Sequence, residues 1–106
     1  TGANDADMMY AVNKLIETKG GICVANSEGC HILPLPVAGL MSCKDAKTVA
    51  KQYELLDKLA KSLGCTLSSP FMTLSFMALL VIPKLKLGDR GLFDGNKFTF
   101  TPLFKK

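Results

Sequence analysis

Residues 42–64 constrain the fold most. Ala46, Val49, Ala50, Tyr53, Leu56, Ala60 and Leu63 recur at helical spacing, while Lys47, Lys51, Glu54, Lys58 and Lys61 fall on the opposite side. Such a segment is an amphipathic helix that must bury one stripe against something else. Ser42 is the expected cap, with Asp45 completing a box-like pair, and Gly64 the expected stop. Glu54–Lys58 and Asp57–Lys61 stand at the favourable i, i+4 spacing, so the charged side reads as a solvated surface.

The partner of that stripe must come from short elements. Residues 4–19 read as a first helix, capped by Asn4 or Asp5, with Met8, Val12, Leu15 and Ile16 on one face and Gly20-Gly21 as its stop. That face is expected to pack on the domain's own sheet. A hairpin comes next: Gly21–Ala25, a turn at Asn26-Ser27-Glu28-Gly29, and a return over Cys30–Leu33 halted by Pro34 and Pro36. Residues 70–82 fit a short helix or turn and then a buried strand. Strands are also expected at 84–87 and 98–101, with turns at 88–91 and 94–96. The expected fold is α+β: two main helices packed on a small mixed or antiparallel sheet in a single domain.

Two segments are more apolar than a small core explains, 34–41 and 76–83, both bounded by proline. They are either ordinary core or a surface that another body covers. Asp89 and Arg90, in the 88–91 turn, are expected to pair locally rather than reach a substrate or partner.

Composition narrows the chemistry. The chain has 106 residues and one histidine, His31. A hydrolytic metal centre draws on several convergent His or carboxylate ligands, so a complete one is not expected here. The cysteines at 23, 30, 43 and 65 form no CxxC pair, which argues against a zinc cluster, and the HxE and PCxxC marks of one deaminase class do not occur. With an ordinary apolar content and no secretion signal, the thiols are expected to be reduced, Cys23 filling space in a strand. Cys30 and His31 are adjacent on a strand and should point to opposite faces, which disfavours a thiol–imidazole pair. A net charge of +4, concentrated after residue 84, reads as a solvated surface, and no nucleic-acid motif accompanies it. No apolar run reaches the roughly 18 residues of a membrane-spanning helix. The start at Thr1-Gly2-Ala3, without methionine, reads as a cut piece or processed product.

Several long motifs then coincide. Thr1–Met8 with Ala11–Leu15, Pro34–Ser42, Leu63–Cys65, Pro70–Leu79 and Val81–Leu92 together resemble the C-terminal domain of bacterial adenine deaminases, in order and spacing, across essentially all of residues 1–106. Leu80 stands where proline is more usual and Gly88 where threonine is. The resemblance implies a cytoplasmic parent enzyme that hydrolyses adenine to hypoxanthine and ammonia. It implies an amidohydrolase-like barrel ahead of this domain, holding a divalent metal, manganese or iron. No catalytic, cofactor-binding or metal-binding residue is carried onto these positions. The expected partners are the barrel, adenine as substrate of the parent, and a further copy of the enzyme, with no nucleic acid and no membrane. The other readings are a free-standing small-molecule or protein-binding module and, far behind, a self-sufficient deaminase.

Overall fold

The computed structural model describes residues 1–104. The chain divides into two compact units, Thr1–Ser68 and Ser69–Lys106. The first contains α1 (Asp5–Glu17), β1 (Gly21–Asn26), β2 (Gly29–Pro34) and α2 (Ala46–Ser62). The second contains α3 (Pro70–Phe76), β3 (Leu85–Gly88), β4 (Gly91–Asp94) and β5 (Thr99–Phe100). Both sheets are antiparallel, β1-β2 and β3-β4-β5, so the arrangement is α+β.

In the first unit the β1–β2 hairpin lies between the two long helices, each of which contacts both strands. Its register pairs Cys23 with Ile32, Val24 with His31 and Ala25 with Cys30. Side chains alternate across a strand. Cys23 and Ala25, with Cys30 and Ile32, therefore face Ala11 and Leu15 of α1, where they form a packed cluster. Val24 and Leu33 occupy the other face, and Leu56 and Ala60 are the buried residues of α2. Leu33, at 1 % exposed, is the largest fully buried side chain among the described residues. Beside β1, the Thr1 nitrogen donates to the Cys23 carbonyl (2.7 Å) and the Ala25 N–H donates to the Thr1 carbonyl (2.9 Å).

Three expectations change here. The α1 face that packs is centred on Ala11 and Leu15. Met8, Val12 and Ile16 are 46, 54 and 68 % exposed. A small residue at position 11 lets the helix approach the hairpin closely, so the bulkier neighbours a quarter-turn away point outward. The α2 cap is Asp45 rather than Ser42: the Asp45 carboxylate accepts from the Thr48 N–H, while Ser42 Oγ accepts from the Lys44 N–H. Finally, Cys23 and Cys30 are joined as a disulfide, not separate thiols. They sit on one face of the hairpin, diagonally across the ladder and offset by two positions, so the hairpin register brings the sulfurs together. Cys43 and Cys65 are free.

Asn4 caps α1, its side chain accepting from the Asp7 N–H at 2.9 Å. The Glu54–Lys58 and Asp57–Lys61 pairs form at 2.7 and 2.6 Å.

In the second unit, Pro70 opens a helix that runs only to Phe76, and residues 77–82 continue as turns closed by Met77 N–H to Leu74, Ala78 N–H to Ser75 and Leu79 N–H to Phe76 bonds. The buried strand expected after the helix is absent. Phe76, Met77, Leu79 and Val81 are exposed instead, because turns offer no ladder partner and no alternating buried face. Strands β3 and β5 fall at the two expected places, while β4, which pairs with both, was not expected; the Phe93 ring of β4 stands edge-on to Phe98 and Phe100 at 5.5 and 5.3 Å.

Leu33→Ala should cost about 2–5 kcal/mol, the usual range for emptying a buried leucine site. Chemical denaturation of the chain monitored by circular dichroism checks this.

Candidate functional site

The proline-bounded segment after β2 builds the most distinctive surface of the first unit. Pro34 ends the ladder, and the Leu35 N–H reaches back to the Gly20 carbonyl at 3.4 Å. The chain then reverses at once. The Leu40 N–H donates to the Val37 carbonyl at 3.0 Å, with Ala38 and Gly39 both at positive φ, and Val37 and Met41 exchange two hydrogen bonds of 3.1 Å. Two central residues at positive φ give the tight reversal typical of hairpin turns. The turn is fixed from beneath by a backbone contact: a Cβ on Gly20 would stand 2.5 Å from Gly39 Cα. Bare glycine at 20 is therefore required, both for this approach and for its φ of +120°.

Held so, the turn presents its apolar side chains outward: Leu40 is 77 % exposed and Met41 59 %. Between the turn and the first half of α2 lies a shallow groove of about 790 Å³, floored by Leu35, Met41, Val49, Ala50 and Tyr53. Ala46 and Ala50, expected in the buried stripe, are exposed and line this groove.

The polar rim is already engaged. Glu54 holds Lys58, whose hydrogen bond and charge keep the Glu54 carboxyl below its ordinary value. Asp57 holds Lys61. At the head of α2, Asp45 accepts from Thr48 Oγ1 and from the Thr48 N–H, and these bonds, in that order, lower its pKa. Carboxylates stabilised in the ionised form are poor proton donors, and no imidazole stands among them. The groove presents apolar side chains, and the two carboxylates on its rim, Glu54 and Asp57, are each held by a lysine.

His31 lies elsewhere, exposed on β2, opposite Val24 and on the other face from Cys30, as strand alternation requires. Among the described residues no three His, Cys, Asp or Glu side chains group closely enough to hold a metal ion. A resident metal does not fit these side chains. No helix among the described residues is long and apolar enough to cross a membrane. In the second unit the Arg90 guanidinium lies 5.4 Å over the Phe100 ring, outside the turn that carries it. The apolar character of 34–41 was visible in the sequence. That Ala46 and Ala50 would line the groove was not, since small residues sit equally well in a core.

Fold and groove thus define an α+β arrangement marked by an outward apolar surface. The chain matches the family described as adenine deaminase C-terminal domain over residues 1–99, and it belongs to that family. It is 59 % identical over 103 residues to an adenine deaminase of Methanosarcina acetivorans, 54 % identical over 100 residues to one of Sulfurovum sp., and 46 % identical over 104 residues to one of Clostridium botulinum. These alignments cover 97, 93 and 97 % of this chain but 19, 19 and 17 % of the relatives, so the chain spans about a fifth of their length. No solved structure matches it.

Asp45→Ala should lower the melting temperature at pH 7 by about 5 °C, the scale of a lost helix cap in a domain this small. The folded pKa of Asp45 is depressed, so its contribution is complete above the unfolded carboxyl value near about 4 and is lost as pH falls through the lower folded value. Asp45→Asn keeps a capping oxygen but has nothing to protonate there. Its melting temperature should therefore fall less than the parent's between pH 5 and pH 2 in thermal scans.

Proposed function

We propose that this chain is a non-catalytic portion of an enzyme that hydrolyses adenine to hypoxanthine and ammonia, and that it packs on the barrel bearing the reactive centre. In that reaction water adds its oxygen at purine C6 and the C6–N6 bond breaks, releasing ammonia. A divalent metal in the barrel would supply the activated water; the residues of this chain take no part in that step. Their work is structural: to cover, position and exclude solvent at a neighbouring surface.

The outward apolar turn at 37–41 is the observation that carries the docking role. Such a turn, rigidly held yet solvent-facing, loses nothing in the domain's own core if its side chains change, so its apolarity needs an outside reason. Phe76, Met77, Leu79 and Val81 in the second unit add the same argument independently, being 49, 59, 46 and 54 % exposed. Membership of a family named for adenine deaminase, at a fifth of its relatives' length, supports the choice of parent activity. A cytoplasmic location fits such an enzyme.

The isolated chain with adenine and manganese should release no ammonia above background, whereas the full-length protein should. In the full-length protein, Leu40→Asp combined with Met41→Asp should lower kcat/KM at least tenfold or reduce the melting temperature by several degrees. Lys47→Glu, on the exposed side of α2, should change neither. Unchanged activity and melting temperature in the double variant would remove the support for docking through this turn.

A further inference from the structure

β1 is buried like an interior strand, yet β2 is its only neighbour among the named strands. Cys23, Val24 and Ala25 are 3, 2 and 0 % exposed, and their side chains fall on both faces. Strands covered on both faces usually run between two neighbours, and a lone two-stranded hairpin is marginal in water.

The second edge of β1 carries one residue, Thr1, and its bonding pattern is informative. Its nitrogen donates to the carbonyl of Cys23, and its carbonyl accepts from the N–H of Ala25. An antiparallel pair would exchange both bonds with a single residue. Bonding instead to the residues on either side of Val24 is the slanted pattern of a parallel pair. The path of the chain after Thr1 agrees. Gly2 sits so tightly under the start of α1 that a Cβ would stand 2.7 Å from the Asp7 backbone, and Asn4 then caps the helix. Helix α1 runs back across the hairpin face and delivers the chain to β1. Residue 1, α1 and β1 thus trace the end of one strand, a crossover helix and a parallel second strand.

We propose that the residues preceding Thr1 in the longer polypeptide form a β-strand that adds, parallel, to the free edge of β1. The first unit then holds a three-stranded sheet with β1 at its centre and α1 as the βαβ crossover. The family is a C-terminal domain, and its relatives are about five times longer than this chain, so they have polypeptide to supply the strand. A parallel ladder repeats every two residues. The second residue before Thr1 therefore donates to the Gly21 carbonyl and accepts from the Cys23 N–H, and three or four residues reach the start of β1. This inference stands on backbone geometry and does not depend on the deaminase reading.

Hydrogen exchange of the Cys23 amide, read by mass spectrometry with fragmentation, tests it on the full-length protein and on the 106-residue chain. Exchange should be at least a hundredfold slower in the full-length protein. Proline at the second residue before Thr1 removes the N–H that bonds the Gly21 carbonyl and so loosens the strand beside Cys23; it should speed Cys23 exchange in the full-length protein at least tenfold, with adenine hydrolysis measured separately. Equal exchange in the two chains overturns the proposal. So does protection in the full-length protein that is lost on dilution, because that assigns the edge to a second copy.

Discussion

Burial of one hairpin between two helices is the constraint on which the first unit depends. Neither helix could stay put without it: α1 offers Ala11 and Leu15, α2 offers Leu56 and Ala60, and neither set is large enough to pair with the other directly. The hairpin supplies two faces of small and branched side chains, Cys23 and Ala25 on one and Val24 and Leu33 on the other. Each helix thus has a flat, close surface to meet. Short side chains at the contact bring backbones together, and good packing at close range gives much of the stabilisation that a domain this small can gather.

Much of this was legible in the chain itself. The α2 stripe, the hairpin with its turn at 26–29 and the Gly64 stop come from periodicity and from residues that tolerate few conformations. Less legible was which part of a stripe faces inward. On α1 the methionine, valine and isoleucine looked like core, but Ala11 set the approach distance and turned them out. Apolar character alone cannot choose between two neighbouring helix faces; the shape of the partner does. At 76–82 the same ambiguity gave an expected strand where there are turns, since an apolar run does not by itself distinguish the two.

The chemistry of the surface was partly legible. The apolar character of the run at 34–41 could be read directly from the chain. The contribution of α2 to the groove was hidden, because Ala46 and Ala50 carry no signature of exposure. The pairing of Cys23 with Cys30 was hidden too, because it depends on hairpin register rather than on spacing.

The close approach of Gly20 to Gly39 has a consequence for how such a surface can change. The turn is aimed by main chain resting on main chain, so its direction is indifferent to what Val37, Leu40 and Met41 happen to be. Evolution can reshape the tips while the mount beneath them stays still. Surface chemistry and foldability are thereby written in different residues.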